Sequence, residues 1–479
     1  MRSWLITVSV FTAAAAVLVL EIVAGRILAP YVGVTLQSFT AIIGTVLAAI
    51  AVGAWAGGRI ADRSNAKAAL GPVLAVGGVL AVVSPSIVYL VGPELIGSSA
   101  TTTVTLAAIG FFAPAAVLSM VTPLAAKIQL TDLASTGSVV GSLSAIGTAG
   151  ALFGTFVTGF VLIAALPSRP ITWAVGGVLI VLALNVSVPV SRRWVLLAGV
   201  VLVLAVLGSA ALANECETES AYYCVKVIQD PNRATGRTLI LDTSHHSYVD
   251  IVDPTYLGFR YARLFASIIE VQTDGAEIDA LFIGGGGFTI PRYLQATQGG
   301  SSTVLELDPT LVTVAEERLG LIKGDWLRIE IGDARLTLRR ELSGSFDVVV
   351  GDAFSSLSVP WHLTTKEFLE EVRDKLDADG LYVMNVIDRE QARFVHAEIQ
   401  TLAQVFPHVA VAAPPAYLIL EDAGNFVLVG SMKPLNGDAI REHLPAGEAI
   451  LIDSEATAWS EGGLILTDEF APTDQLFQE

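Results

Sequence analysis

The sequence predicts two fold classes in one chain: a multi-span α-helical membrane domain, then a Rossmann-like α/β domain with a β-hairpin region at its N-terminus. Three observations predict this. Long apolar runs are confined to the first 213 of 479 residues. Charge divides at the same place, with nine basic and four acidic residues before position 214 and nineteen basic and forty-two acidic residues after it. The second half then alternates short apolar strands with amphipathic helices, the pattern of a parallel sheet covered on both faces. The expected domains are 1–213 (transmembrane), 214–270 (β-hairpin and helix lead-in) and 271–479 (nucleotide-binding α/β domain).

Seven runs in the first part are long enough to cross about 30 Å of hydrocarbon. They cover residues 4–25, 39–60, 70–91, 102–125, 138–165, 171–189 and 194–213. The first is not a cleavable leader, because further spans follow and no small-residue cleavage site separates it from a soluble segment. Glycines such as Gly53, Gly57, Gly150 and Gly154 let helix backbones approach closely in lipid. With the N-terminus inside, the inner side holds Arg2, Arg59, Arg63, Lys67, Lys127, Arg192 and Arg193, and the outer side only Arg26 and Arg169. That bias places the C-terminal domain outside the cytoplasm. Only two cysteines exist, Cys216 and Cys224, just past the last span. They are candidates for a disulfide in an oxidising compartment. A metal site is not expected, since no further cysteine or nearby histidine completes four ligands.

The acidic second half argues against nucleic acid as a partner, because phosphates would be repelled. It suits a cationic substrate, although a solvated acidic surface explains the same composition. Strands are expected at 222–229, 237–242 and 247–252, with turns at Asp230-Pro-Asn and Asp253-Pro-Thr and a helix over 256–270. The strand 280–284 and helix 288–298 follow, then strand 302–307, helix 309–319, strand 327–331, helix 334–342, strand 346–351, helix 363–376 and strand 380–387. Residues 409–413 and 426–431 close the domain as a hairpin.

Four elements fall at the carboxyl ends of the strands, the rim where open α/β sheets bind ligands. Gly284-Gly285-Gly286-Gly287 joins strand to helix and brings backbone amides close to a ligand. Glu306 ends the next strand, 20 residues after Gly286, where a carboxylate can accept bonds from both ribose hydroxyls. Gly332-Asp333-Ala334 follows the third strand and can meet an adenine edge. Gly351-Asp352-Ala-Phe-Ser355 follows the fourth. Each acidic residue alone could be a helix N-cap; the ordered set points to a nucleoside.

At these residues the chain resembles the spermidine synthase (polyamine aminopropyltransferase) family, built on the class I methyltransferase-like fold. The resemblance covers about Arg237 to Gly430. Phe346-Asp-Val-Val-Val-Gly-Asp352 with Leu363-Thr-Thr-Lys-Glu-Phe368 is similar to the family's fourth strand and following helix, and Arg237–Asp242 resembles its N-terminal hairpin. The membrane half resembles helical segments fused to such domains in prokaryotes, and Gly57-Gly-Arg-Ile-Ala-Asp-Arg63 looks like a cytoplasmic loop of major facilitator transporters. The resemblance implies decarboxylated S-adenosylmethionine or S-adenosylmethionine as co-substrate, without a metal. It makes Gly284, Gly285 and Gly286 the nucleoside loop, Glu306 the ribose ligand, Asp333 and Ala334 the adenine contacts, His246 a further nucleoside contact, and Asp352 the base that frees the attacking amine.

The chain departs from the family at three places. Gly287 stands where the family's loop carries an Asp that helps hold an amino group, Ser355 stands where a second Asp is usual, and Tyr261-Ala262-Arg263 replaces a Tyr-His-Glu type of cluster. The amine half of the site has therefore lost carboxylates, each charge-assisted bond being worth about 1.5–3 kcal/mol. Three functions stay open: a membrane-anchored aminopropyltransferase-like enzyme, an S-adenosylmethionine-dependent methyltransferase with another acceptor, and a transporter or sensor with a non-catalytic nucleoside domain. The expected partners are a nucleoside, an amine, the lipid bilayer and a second copy of the chain as a homodimer. The nucleoside class is made in the cytoplasm, whereas the charge bias and cysteines place the domain outside it.

Overall fold

The structure, a computed structural model, describes every residue except 1, 98, 131, 133–134, 213–215, 354–358 and 479. The chain divides into two compact units, Met1–Lys226 and Val227–Glu479.

Unit one contains seven helices long and apolar enough to cross a membrane: α1 (Ser3–Val32), α2 (Leu36–Arg63), α3 (Ala66–Glu94), α4 (Ala100–Gln129), α5 (Thr136–Ala165), α6 (Ser168–Val186) and α7 (Pro189–Ala211). Within each helix the backbone hydrogen bonds are satisfied by the chain itself, as an apolar segment requires in a nonpolar surround. Their contacts explain the glycines. A Cβ on Gly150 or Gly154 would lie 2.2 or 2.4 Å from the carbonyl oxygens of Phe11 and Ala15, so α5 meets α1 backbone to backbone. One on Gly53 would lie 2.0 Å from the Ala116 carbonyl oxygen, which does the same for α2 and α4. The Gly57–Arg63 segment, read above as loop-like, is instead the last two turns of α2, and Asp62 there pairs with Lys127 at 2.9 Å.

Beyond α7, Cys216 and Cys224 are joined as a disulfide across the short antiparallel pair β1 (Thr218–Glu219) and β2 (Cys224–Gln229). Glu219 binds Arg26 at 3.0 Å and accepts from the Ser168 amide at 3.0 Å. Arg169 is buried, donating to the carbonyls of Ser209 and Leu212 at 3.0 Å. Both arginines assigned to the outer side are thus tied into local structure.

Unit two opens with the hairpin β3 (Gly236–Leu241) and β4 (Ser244–Asp250), then α8 (Arg260–Gln272). The repeating units are β5 (Ile278–Ile283), α9 (Thr289–Thr297), β6 (Gly300–Glu306), α10 (Pro309–Arg318), β7 (Leu327–Ile331), α11 (Ala334–Leu338), β8 (Phe346–Gly351), α12 (Lys366–Lys375) and β9 (Leu376–Asp388). After α13 (Arg393–Leu402) come β10 (His408–Ala413), β11 (Gly424–Ser431) and β12 (Ala449–Ile452). The eight-stranded sheet has the order β12-β10-β11-β9-β8-β5-β6-β7. Strands β5 to β9 run parallel; β11, β10 and β12 add antiparallel pairs. This is a Rossmann-like sheet in the class I methyltransferase-like order. Its switch point lies at β5, between β6 on one side and β8 on the other, the place where open α/β sheets in general bind ligands. The expected closing hairpin is β10–β11; the outer strand β12 was not anticipated from sequence, because Ala449–Ile452 is too short to show a period.

The core of this sheet contains an anomaly. Glu398 on α13 is 0% exposed, and neither of its carboxyl oxygens has a hydrogen-bond partner among the described residues. Burial pushes its acid well above the usual carboxyl range. Its favourable contribution is therefore complete below the ordinary carboxyl pKa and is lost as pH rises toward the folded value. Glu398→Met, similar in volume and without polar atoms, should stabilise the unit by about 1–3 kcal/mol at neutral pH. The gain should be larger at pH 8 than at pH 5. Thermal melts of the full chain at both pH values test this; an equal or lower melting temperature for the variant at pH 8 would reject it.

Candidate active site

The hairpin β3–β4 is held over the sheet rim by its polar groups. Asp250 is buried, yet hydrogen bonds from Arg233, the Thr235 hydroxyl and the amides of Val252 and Asp253 outweigh desolvation and hold its carboxyl well below the usual range. The Tyr248 hydroxyl donates to Asp230 at 2.7 Å. Its ring lies so close to Gly258 that a Cβ there would come within 2.5 Å. Anchored this way, β4 reaches the glycine turn: the Gly287 amide donates to Ser247 Oγ at 3.0 Å, and the Thr289 hydroxyl to the Tyr248 carbonyl at 3.0 Å.

The turn itself is closed in on every side. Gly284 has φ +94°, and a Cβ on it would stand 2.6 Å from the Asp352 carbonyl oxygen. Glu306 Oε2 accepts from the amides of Gly285 and Gly286 at 2.8 and 3.3 Å, and Oε1 from the Asp308 amide at 2.8 Å. Burial raises the Glu306 acid despite these three amides. A Cβ on Gly286 would lie 3.5 Å from His246 Nδ1, so the imidazole lies against the turn. Burial drives that imidazole down to about 4, which keeps it neutral at physiological pH. Sequence reasoning brought Gly284, Gly285, Gly286, Glu306 and His246 together, and they do meet in space. Glu306, however, binds the loop amides that a ligand would also approach.

Asp333 and Ala334 lie one strand further along the rim, where the Gly332 amide donates to the Glu306 carbonyl at 2.9 Å. Asp333 is the N-cap of α11, accepting from the Leu336 amide at 3.0 Å, and its other oxygen pairs with His362 Nε2 at 3.0 Å. The structural alternative for this acidic residue, a helix cap, is thus realised. Arg335 braces the corner by binding Asp468 and Glu371 at 2.7 and 3.0 Å.

Asp352 follows β8 and is half-buried. Its Oδ1 accepts from Asn385 Nδ2 at 2.9 Å and its Oδ2 from the Tyr261 hydroxyl at 3.1 Å. Asn425 in turn donates to Asn385 Oδ1 at 2.9 Å. Desolvation outweighs these bonds and raises the Asp352 acid to about 6. The same closeness holds the Tyr261 phenol well above its usual value, through burial and then the Asp352 charge. Ser355, which stands where a second Asp is usual, lies outside the described residues.

Sequence reasoning missed Asn385, Asn425 and His362, and treated Tyr261 only as part of a departure. Asn385 did leave a signal: one amide inside the apolar strand Leu381-Tyr-Val-Met-Asn385-Val-Ile387. Asn425, at the start of β11, and His362, in a single helical turn, are lone polar residues beside other polar ones and left none. Next to Asp352, on the side of β4 and α8, lies a cleft of about 310 Å³ whose walls include His245, His246, Arg260, Tyr261, Asn385 and Asn425.

No protein-family model matches the chain. The polyamine aminopropyltransferase of Vibrio vulnificus is 28% identical over 212 residues, 41% of this chain and 69% of that protein. The polyamine aminopropyltransferase of Chromobacterium violaceum is 27% identical over 173 residues, 36% of this chain and 64% of that protein. The chain thus spans about two thirds of the length of these two relatives. A solved probable spermidine synthase from Corynebacterium glutamicum superposes with a TM-score of 0.49 at 26% identity, over 52% of this chain and 95% of that one. Over about two fifths of its length the chain is similar to polyamine aminopropyltransferases, which are transferases, and it also carries seven helices long and apolar enough to cross a membrane.

Proposed function

We propose that the C-terminal unit is an aminopropyltransferase-like enzyme that uses decarboxylated S-adenosylmethionine, a sulfonium nucleoside, and an amine acceptor. The observation that carries this reading is Asp352: a carboxylate with a pKa raised to about 6, at a strand end, fixed by two neutral donors and backed onto the nucleoside turn. In the transfer, the neutral amine's lone pair attacks the carbon bonded to sulfur. The C–S bond breaks with its electron pair going to sulfur, methylthioadenosine leaves, and Asp352 takes the proton from the new ammonium centre. Gly284, Gly285, Gly286, Glu306, Asp333, Ala334 and His246 form the nucleoside half. His246, neutral through burial, can hydrogen-bond a nucleoside without repelling a sulfonium.

We further propose that the seven helices anchor this unit in a bilayer and that the unit lies outside the cytoplasm. The arginine and lysine bias supports this, as does the Cys216–Cys224 disulfide, a bond that persists in oxidising compartments.

In calorimetry on the full chain, methylthioadenosine should bind, and Glu306→Ala should weaken it by about 1.5–3 kcal/mol, roughly tenfold to a hundredfold; equal binding by the variant would remove Glu306 from the nucleoside site. Asp352→Asn should cut turnover by about 10²–10⁴-fold while methylthioadenosine still binds. Because the folded acid is raised, its favourable contribution is lost as pH climbs through about 6; the variant should therefore melt no lower than wild type at pH 7.5, whereas a capping role predicts a lower melting temperature and little change in turnover. Wild-type kcat/KM should fall about tenfold per pH unit below that value, as the base is protonated. Finally, a mass-tagged maleimide applied to unreduced membranes should modify neither cysteine; rapid labelling of both would place the unit in a reducing compartment.

A further inference from the structure

We infer that the acceptor cleft of this site takes an amine whose far end carries a carboxylate, rather than a diamine; the inference rests on the transfer reading above. A diamine presents a second ammonium, which needs a carboxylate to replace its water. Among the described residues, the cleft beside Asp352 is walled by His245, His246, Arg260, Asn385 and Asn425 and has Asp352 as its one acid. That acid serves the reacting amine, so no charge partner is left for a second ammonium.

The glycine turn cannot supply another acid without rebuilding. A Cβ at Gly287 would stand 2.8 Å from Ser247 Cβ and 2.9 Å from Val249 Cγ2. The hairpin strand β4 is packed into the room that a side chain would need there. Loss of the carboxylate at this position is therefore built into the fold of the hairpin.

What the cleft offers instead favours an anion. Arg260 opens α8, and its Nε is held by Glu448 at 2.8 Å. This fixes the guanidinium while its two terminal nitrogens, the pair that grips a carboxylate, are not engaged by Glu448. Residues Phe259, Arg260 and Tyr261 line the same cleft and form the start of a 13-residue helix with no side-chain cap and no acidic residue in its first turn. The dipole of this helix start adds to the guanidinium. One wall thus binds an anion and the other, at Asp352, accepts a proton from an amine, which describes an aminocarboxylate.

The test uses the full chain in nanodiscs, saturated with methylthioadenosine, with glycine, β-alanine, 4-aminobutyrate and putrescine as probes. At least one aminocarboxylate should bind ten-fold or more tightly than putrescine. Arg260→Gln should abolish that preference and Arg260→Lys should keep part of it, with methylthioadenosine affinity unchanged in both as the control for folding. With decarboxylated S-adenosylmethionine, the same aminocarboxylate should release methylthioadenosine faster than putrescine does. Putrescine binding more tightly than every aminocarboxylate, or a preference untouched by Arg260→Gln, would overturn the inference. A binding preference that persists without any methylthioadenosine release would remove the transfer reading and leave the pocket assignment standing.

Discussion

The soluble unit depends on one crowded turn. Gly284–Gly287 leaves β5 at the switch point of the sheet, and every side of it is taken: the Asp352 backbone behind Gly284, the Glu306 carboxylate under Gly285 and Gly286, and His246 and Ser247 above Gly286 and Gly287. A side chain on any of these residues would force one of three elements to move. The turn therefore sets where the hairpin docks, where Glu306 points and how close the base stands to the nucleoside loop. The next residue absorbs the geometry: Phe288 is fully buried with φ +56°, a left-handed conformation that costs a non-glycine residue about 1–2 kcal/mol.

The two halves of the site follow different physical rules. The half proposed for the nucleoside is built from the glycine turn, the Glu306 and Asp333 carboxylates at strand ends, and the His246 imidazole. The half proposed for the amine is built from side chains on α8, β4, β9 and β11, and its character is set by which of them are acids. Tyr261, Asn385 and Asn425 form a neutral chain that orients Asp352 without stabilising its charge as strongly as an arginine would. Desolvation outweighs these bonds and raises its acid to about 6, which suits a group that must take a proton near neutrality.

Unit one is packed through small residues. Small residues allow α5 against α1 and α2 against α4 at backbone contact, where many close atom pairs add up in dispersion. Polar groups gather at the end that carries the disulfide, with Arg26, Glu219 and Ser168 in one cluster and Arg169 tied to the end of α7.

The seven helices, the parallel strands, the glycine turn and the acidic residues on the rim were all determined by sequence alone, because each rests on a local signal: hydrophobic length, period, a glycine run, or a polar residue ending an apolar strand. Tertiary structure alone decided the rest. The outer strand β12, too short for a period, exists because β10 offers it an edge. Glu306 and Asp333 have structural partners, the turn amides and His362, that no spacing reveals. The partners of Asp352 come from Tyr261 and Asn385, 91 residues before it and 33 after it, brought together only when α8 and β9 pack beside β8. The fate of Gly287 was likewise a matter of packing: sequence registers a missing acid, while the close fit of Ser247 and Val249 shows that β4 has taken its room. Local signals survive in one dimension; charge partners and steric room are properties of the folded chain.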